Sequence, residues 1–330
     1  EQNWISNRNA DQALDDFESV DVVYGSDNLL KEDTWDREHA FCASLMTSEN
    51  TGDAVKYLGR ATDFHNLFAS NSTGNRSRGN KNFGVADKTS KDYVDKGDYS
   101  YDKNNFEPSD YDKGRLSRAI FYMSVMYNQD SEDEYRNRKH TGEPITYGPA
   151  KVVEEYCVPD KVSTNPHCIG NLSTLLDWAI SFDVDRLEYQ HNNSVYSLDN
   201  EEYYGIQGNR NPFVDYPELI EYCFGSKKNE SGDLNYLIPT FYTLDLDSKD
   251  HSNYAIKSAP RSYLVGSKFV YNNINLVDVK KDYSFVDISE VFTTNFTDGY
   301  SFKKADVGTH EIELVIKDQH IKYQIEVKES

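Results

Sequence analysis

Two short segments of the chain hold residue types that suit phosphodiester hydrolysis. The first spans residues 35–39, with the sequence WDREH, and the second spans residues 63–68, with the sequence DFHNLF. The carboxylate of Glu38 offers the oxygen ligands that a hard cation such as Mg²⁺ prefers. The imidazole of His39 titrates near neutral pH, so it can take a proton from water. Together these groups could hold a metal ion against a phosphodiester and activate a water molecule.

The second segment adds an amide to the carboxylate and the imidazole. A Glu-His pair alone is most often incidental, because neighbours on a strand point to opposite faces. Asn66 falls in the first turn of a helix predicted to begin at Phe64, with its amide oxygen free to bind a cation. Asp63 is better interpreted as the N-cap of that helix. His65 is better interpreted as a packed or hydrogen-bonded histidine than as a ligand.

The charge of the chain is uneven. The formal net charge is -21, which should repel nucleic acid. Between residues 56 and 82, however, five basic residues and one acidic residue leave a net +4. The basic residues are Lys56, Arg60, Arg76, Arg78 and Lys81. This window is either an ordinary solvated loop or a phosphate-binding lip in which arginine acts as a bidentate donor.

The elements that must position these groups are predicted from apolar spacing. We expect helices over residues 1–20, 113–127, 172–180 and 215–224, and a strand-like segment after residue 35. The helix over 113–127 is apolar on nearly every side, so we expect it to be buried. Residues 69–105 are rich in Ser, Asn, Gly, Lys and Asp, and they are expected to form a long, partly ordered surface region.

The C-terminal part has the alternation of β-structure. Runs of alternating residues at 268–271, 274–277, 284–288, 310–316 and 321–327 are separated by polar turns. About seventy residues suffice for a small β-sandwich. We therefore predict two domains, over residues 1–257 and 258–330.

Composition excludes several classes of protein. No run of eighteen apolar residues is present, so no membrane span is encoded. Four cysteines without C-x-x-C spacing argue against a disulfide framework and a structural zinc site. Cys157 and Cys168 would pair only in an exported protein, and otherwise all four remain thiols. The chain shows no signal peptide and does not begin with Met, so we interpret it as a processed or truncated form.

Several motifs in one order resemble the bacterial endonuclease I family. Besides WDREH and DFHNLF, they are NRSRGN at 75–80, FEPSD at 106–110, RAIFYM at 118–123 and QGNRNPFVDYP at 207–217. The resemblance covers roughly residues 30–225. It implies an α+β fold, with a mostly helical nuclease domain built around a ββα-metal (His-Me finger) core. It also implies a secreted or periplasmic protein.

The resemblance also implies roles for individual residues. His39 would be the general base, and Glu38 and Asn66 would bind one Mg²⁺, although Mn²⁺ and Ca²⁺ also suit such ligands. Arg60, or failing that Arg78, would stabilise the transition state. The implied substrate contacts are Arg37, Arg76, Arg78, Asn80, Asn209 and Arg210. Asn209 and Arg210 would equally suit a role in bracing the site or as turn residues.

Two features set this chain apart from the family. The residues after His39 read AFCAS, where aromatic residues and proline are common, and residues 87–105 form an atypical insert. Both concern the shape of the substrate groove rather than the chemistry. Separately, the C-terminal runs resemble the bacterial Ig-like modules of surface proteins, carried by residues 263–269 and 308–312. Such a module would contact the cell surface.

The sequence thus predicts a secreted or cell-surface, monomeric, metal-dependent endonuclease with little sequence preference. It would cut DNA, or RNA as well, to leave 5′-phosphate ends. Two alternatives stay open. One is a cell-surface adhesion or binding protein with a decayed nuclease domain, and the other is a hydrolase of small phosphodiesters.

Overall fold

The computed structural model describes residues 10–31, 33–43, 59–126, 169–196, 207–227, 254–279, 285–288, 292–317 and 319–329. These residues fall into two compact units. The first holds residues 10, 11 and 21–227, and the second holds residues 12–20 and 254–329. The domain boundary between residues 257 and 258 stays a prediction.

The described residues form short strands and helices of both kinds. The strands are β1 (Ser19–Val20), β2 (Leu29–Leu30), β3 (Asp36–His39), β4 (Leu67–Ser70), β5 (Asn82–Phe83), β6 (Val94–Asp95), β7 (Tyr99–Tyr101), β8 (Asn105–Pro108), β9 (Tyr254–Ser258), β10 (Ser262–Leu264), β11 (Asn275–Val279), β12 (Phe285–Ile288), β13 (Thr293–Thr294), β14 (Gly308–Ile316) and β15 (Gln319–Lys328). The α-helices are α1 (Ser72–Arg78), α2 (Asp110–Met126), α3 (Leu172–Ser181), α4 (Arg186–Tyr196), α5 (Pro212–Asp215) and α6 (Leu219–Cys223). The 3₁₀ helices are Gly59–Thr62, Phe64–Asn66, Tyr271–Asn273 and Lys304–Asp306. This mixture is α+β, as the sequence predicts, and the finer description of a mostly helical nuclease domain stays a prediction.

A pair of strands and a helix carry the candidate functional residues. Strand β3 runs antiparallel to β4, with Glu38 opposite Phe68 and His39 opposite Leu67. Helix α1 follows β4 after one residue, because the side chain of Asn71 caps it by accepting hydrogen bonds from the first turn. Gly79, with φ of 53°, ends the helix in a backbone conformation that favours glycine. The order strand, strand, helix therefore brings α1 close to β3.

Helix α2 is the centre of the first unit. Its residues Leu116, Ile120 and Met123 are buried in one hydrophobic cluster with aromatic and aliphatic side chains from α3 and β5. The predicted helices over 113–127 and 172–180 are confirmed by α2 and α3. Helix α4 was not predicted, because its buried face is largely polar and lacks the apolar periodicity of an ordinary core helix.

Three sequence expectations about the first 224 residues are wrong or incomplete. Of the helix expected over residues 1–20, residues 11–20 form turns and strand β1 instead, and residues 1–9 lie outside the described residues. Residues 69–105 form α1 and most of a four-stranded sheet in the order β5-β8-β7-β6, because the rings of Tyr99 and Phe106 stack within it at 5.1 Å. Of the helix expected over 215–224, with Pro217 in its first turn, only Leu219–Cys223 is helical, as α6, because Asp215 already ends the preceding helix α5.

The second unit consists of two sheets around one core. One sheet has the order β10-β15-β14-β13 and the other β12-β11-β9. Leu276 of the smaller sheet and Ile312 and Ile325 of the larger one are buried in the same hydrophobic cluster. Four of the five predicted strand runs are confirmed, but residues 268–271 form only an isolated bridge at Lys268 and the start of a 3₁₀ helix. The assignment to Ig-like modules stays a prediction.

No helix among the described residues is long and apolar enough to cross a membrane.

A buried ion pair joins three parts of the first unit. His191 on α4 contacts the carboxylate of Asp11 through Nδ1 at 2.7 Å, and the carbonyl oxygen of Phe64 through Nε2 at 3.0 Å. The second carboxylate oxygen of Asp11 accepts a hydrogen bond from the backbone of Ala69 on β4. Burial alone would lower the pKa of His191, but the Asp11 carboxylate outweighs it and the pKa is raised. Both ring nitrogens face acceptors, so the protonated ring can donate a hydrogen bond to each of them.

We expect the ion pair between His191 and Asp11 to make the protein less stable as the pH rises above neutrality. The pKa of His191 is higher in the folded chain than in the unfolded chain, where it is about 6.5. Its contribution is therefore complete below that value and is lost as the pH rises through the folded-state pKa. The free energy of unfolding in urea should be lower at about pH 9 than at about pH 6. This fall should be smaller in His191→Gln than in the wild type. Equal falls in both proteins would contradict this assignment.

Candidate active site

Glu38 lies at the end of β3 with its side chain only 2% exposed. The hydroxyl of Tyr24 donates a hydrogen bond to Oε1 at 2.9 Å, and Nη1 of Arg78 lies 3.3 Å from the same oxygen. Burial raises the pKa of the Glu38 carboxyl, while Arg78 and Tyr24 oppose that rise. Among the described residues, both partners of the carboxylate contact Oε1, so Oε2 is the oxygen that a cation could bind.

His39 is half-buried at the end of the same strand. Its Nε2 lies 2.9 Å from the carbonyl oxygen of Ala61. A carbonyl oxygen can only accept a hydrogen bond, so in the neutral ring Nε2 carries the proton. This fixes the tautomer and makes Nδ1 the nitrogen that can take a proton from water.

Asn66 is not placed to bind a metal ion, which corrects the sequence prediction. Its side chain is fully buried, at 0% exposure. Its Oδ1 accepts a hydrogen bond from the backbone N–H of Phe41 at 2.6 Å, and its Nδ2 donates to the carbonyl oxygen of Phe41 at 3.1 Å. The amide therefore fixes the backbone just after His39. The sequence could not reveal this, because the two residues lie 25 positions apart.

Asn75 is an amide on α1 that contacts strand β3 one residue before the candidate metal ligand Glu38. It is half-buried on α1, and its Nδ2 lies 3.5 Å from the carbonyl oxygen of Arg37, the residue before Glu38 on β3. Asn75 belongs to the NRSRGN motif, so the signal that could have identified it was present in the sequence. Amide chemistry alone did not distinguish it from Asn66.

Arg78 lies buried in the protein interior, where its guanidinium group binds the end of strand β3. It is 2% exposed, and it donates hydrogen bonds to the carbonyl oxygens of His39 at 3.3 Å and Ala40 at 2.9 Å. Its guanidinium group also lies 4.6 Å from the centroid of the Phe83 ring. A buried guanidinium that contacts Glu38 and two carbonyl groups is not placed to bind a phosphate. The predictions of Arg78 as substrate contact and as alternative transition-state residue are corrected to a structural role.

The other residues predicted to contact the substrate or the transition state differ in their exposure. Arg76 on α1 and Asn80 just after it are exposed, which leaves both accessible to a polynucleotide. Arg37 is half-buried on β3. The side chain of Arg60 lies outside the described residues, so its role in the transition state stays a prediction.

Asn209 and Arg210 are half-buried and bonded to neighbouring parts of the fold. The side-chain amide of Asn209 donates to the hydroxyl of Tyr122 at 2.7 Å, and the backbone carbonyl oxygen of Asn209 lies 3.0 Å from Nε2 of His65. Arg210 forms two hydrogen bonds with the carboxylate of Asp215, at 2.7 and 2.6 Å. Of the two readings that the sequence left open, these contacts support bracing.

The supporting roles predicted for Asp63 and His65 are confirmed. The Asp63 side chain caps the 3₁₀ helix by accepting a hydrogen bond from the backbone of His65 at 2.9 Å. Burial lowers the pKa of His65 to about 4. The ring of His65 is therefore neutral at neutral pH, and it packs edge-on against the ring of Tyr122.

The residues present suit a hard cation held by few protein ligands. In the described part of the chain, no group of three or more His, Cys, Asp and Glu side chains could hold a metal ion. A cation beside Glu38 would therefore depend on Oε2, on the Asn75 amide oxygen, and on oxygens from water and phosphate. Mg²⁺ binds in this way, through one or two protein ligands plus substrate phosphate and water.

We expect Asn66→Ala to destabilise the protein strongly. The substitution leaves the N–H and C=O groups of Phe41 buried without partners, at a cost of about 1–3 kcal/mol for each group. Urea unfolding should show a free energy of unfolding lower by roughly 2–6 kcal/mol. The matched control is Asn75→Ala, which removes a half-buried helical amide and should change stability by less than about 1 kcal/mol. Equal stability of the two variants would refute this role for Asn66.

Comparison with known proteins identifies the family. The family model described as Endonuclease I matches residues 2–218. An extracellular ribonuclease of Bacillus amyloliquefaciens is 29% identical over 228 residues, which cover 67% of this chain and 66% of the relative. An extracellular ribonuclease of Bacillus subtilis (strain 168) is 29% identical over 226 residues, which cover 66% of each chain. The chain thus spans just under two thirds of the length of these curated relatives, and no solved structure matches it. The family match extends over more than half of the sequence and includes both segments of the candidate site: the chain belongs to the endonuclease I family.

Proposed function

We propose that this protein is a metal-dependent endonuclease that hydrolyses polynucleotides with little regard to sequence. One observation carries the proposal: a carboxylate and a tautomer-fixed imidazole lie at the end of strand β3, and an amide on α1 contacts the backbone of the residue that precedes them. The order β3, β4, α1 supports assignment to the ββα-metal (His-Me finger) class. The named relatives are nucleases, which supports the same conclusion.

His39 is the proposed general base. With the Nε2 proton bonded to the Ala61 carbonyl oxygen, Nδ1 takes a proton from the attacking water. The carbonyl partner also stabilises the imidazolium that forms, because it accepts a hydrogen bond from the charged ring. Arg78 donates hydrogen bonds to the carbonyl oxygens of His39 and Ala40, and these bonds hold the backbone of His39 in place.

Glu38 and Asn75 are the proposed protein ligands of the metal ion, in place of the pair Glu38 and Asn66. When bound, Mg²⁺ would offset the negative charge that develops on the phosphate and on the leaving oxygen. Mn²⁺ and Ca²⁺ also suit these oxygen ligands. Because Tyr24 and Arg78 both contact Oε1 of Glu38, Oε2 is the oxygen proposed to bind the ion.

The substrate class follows from the groups that surround the site. Arg76 and Asn80 are exposed on and after α1, and they would contact phosphate and sugar, which gives little sequence readout. The relatives are named ribonucleases, so RNA stands beside DNA as substrate. Arg60 remains the proposed transition-state arginine, and the products would carry 5′-phosphates. The relatives are also named extracellular, which supports secretion, and we propose a monomer.

The second unit is proposed to be an Ig-like module that contacts the cell surface. Its two sheets around one core are consistent with a β-sandwich. The alternative of an adhesion protein with a decayed nuclease is disfavoured, because the side chains of Glu38, His39 and Asn75 and their supporting contacts are all present. A hydrolase of small phosphodiesters remains the second alternative. Cleavage of bis-nitrophenyl phosphate compared with duplex DNA separates it from the proposal.

The proposal is tested by incubating the protein with single- and double-stranded DNA and RNA. Cleavage should occur with Mg²⁺ and stop with EDTA, and products should have 5′-phosphate ends. Cleavage that EDTA leaves unchanged would overturn the metal dependence. Absence of cleavage of all four substrates would overturn the proposed function.

His39→Ala should lower the cleavage rate by at least roughly 10²–10⁴-fold, because the general base is lost. Binding of a short polynucleotide, measured by fluorescence anisotropy in Ca²⁺, should stay within about threefold of the wild-type value. The control is His65→Ala, in which a buried supporting histidine is lost. A His39→Ala protein that cleaves at the wild-type rate would exclude His39 as the base.

Asn75→Ala should raise the Mg²⁺ concentration needed for half-maximal cleavage by about tenfold or more, because an oxygen ligand is lost. Its free energy of unfolding should stay near that of the wild type, in contrast to Asn66→Ala. A wild-type dependence on Mg²⁺ in Asn75→Ala would remove Asn75 from the proposed ligand pair.

A further inference from the structure

Tyr24 contacts both elements that carry the proposed metal ligands. Its hydroxyl donates the 2.9 Å hydrogen bond to Oε1 of Glu38 on β3. Its backbone and Cβ pack against Gly74 on α1, which directly precedes Asn75. Tyr24 is itself only 1% exposed. It therefore touches no substrate, and any effect it has on the site acts through these two neighbours.

The hydroxyl contact restricts how Glu38 presents its carboxylate. Tyr24 and Arg78 approach the same oxygen, one with an O–H donor and the other with a guanidinium. Two donors on Oε1 fix the rotation of the carboxylate, and Oε2 is left in one orientation. A ligand fixed in this way loses less conformational freedom when it binds a cation.

The contact with Gly74 sets how closely α1 approaches Tyr24. A Cβ atom at position 74 would collide with the Cβ of Tyr24 and would lie 3.2 Å from its carbonyl oxygen. Only glycine permits this approach. Because Asn75 is the next residue of the helix, the distance between Tyr24 and Gly74 also determines where Asn75 stands relative to β3.

The backbone of Tyr24 is held in a conformation that tyrosine seldom adopts. Its φ is 65°, in the left-handed region. The backbone N–H donates to the Asp112 carboxylate at 2.9 Å, and the ring packs edge-on against Phe106 with centroids 4.8 Å apart. Asp112 is in turn held by a buried ion pair with Arg115. Strain of this kind persists where the surrounding structure enforces it, and it is concentrated at functional sites.

We propose that Tyr24 is a positioning residue that fixes Glu38 and Asn75 relative to each other for binding a divalent cation. This inference rests on the proposed function. The hydroxyl of Tyr24 fixes the orientation of the Glu38 carboxylate. The contact between the main chain of Tyr24 and Gly74 fixes how closely α1 approaches Tyr24. Loss of the hydroxyl alone should weaken cation binding while Arg78 still supports Glu38.

The test measures binding of Mn²⁺ alone, by electron paramagnetic resonance of the free ion, in the full chain carrying His39→Ala so that no turnover occurs. Adding Tyr24→Phe should weaken Mn²⁺ binding by about 10–100-fold, the range typical for groups that orient a metal ligand. The matched control is Tyr99→Phe, because Tyr99 is also buried and its hydroxyl lies 3.3 Å from Ser77 on α1, away from Glu38. The control should bind Mn²⁺ like the parent.

Activity provides a second reading in the chain with His39 intact. In Tyr24→Phe, saturating Mn²⁺ should restore kcat to within about tenfold of the wild-type value, since the ligands themselves remain. A general loss of structure would lower kcat at every metal concentration. Gly74→Ala is the second variant: the added Cβ displaces α1 while the hydroxyl remains, and it should also weaken Mn²⁺ binding.

The outcomes separate this inference from the function on which it rests. If the His39→Ala parent binds no Mn²⁺ and the wild type cleaves nothing, the proposed function fails. If the parent binds Mn²⁺ and Tyr24→Phe binds it equally well, the positioning role is refuted and the proposed function stands. If Tyr99→Phe weakens binding as much as Tyr24→Phe, the effect is a general one of buried hydroxyl loss, and the role of Tyr24 is again refuted.

Discussion

A buried ion pair between Glu38 and Arg78 is the constraint around which the candidate site is arranged. Each side chain is 2% exposed, and a charge in such a place is costly unless it is paired and hydrogen-bonded. Removing one partner of a buried pair costs about 3–5 kcal/mol. The same guanidinium also binds the carbonyl groups of His39 and Ala40. The guanidinium of Arg78 thus fixes the carboxylate of Glu38, the backbone of the proposed base His39 and the end of strand β3.

Polar side chains replace apolar packing in much of the surrounding core. Asn66 satisfies the backbone of Phe41, His191 links Asp11 to the 3₁₀ helix, and Arg118 on α2 forms an ion pair with Glu188 on α4 at 2.6 Å. Each of these groups is buried and bonded to a specific partner. Such networks specify one arrangement more sharply than apolar contacts do, because an unpaired member is costly.

Local pattern predicted a good part of this fold. The apolar spacing of α2 and α3, the alternation of β14 and β15, and the cap at Asp63 are all encoded within a few residues of where they act. The family followed from motifs in order, while the roles of Glu38 and His39 stay proposals. Periodicity could not distinguish Asn66 from Asn75, or predict that Arg78 is internal. Those properties depend on partners such as Phe41 and Glu38, which lie 25 and 40 positions away along the chain.

The pairing of Glu38 with Arg78 bears on when the protein acquires its cation. In a structural metal site, the ligands repel one another until the ion arrives, so folding and metal binding occur together. Here the proposed ligand carboxylate already has its counter-charge within the protein. On the proposed function, the chain would therefore complete its fold without metal and take up the ion afterwards. Such a nuclease would stay inactive until it meets both the cation and a polynucleotide.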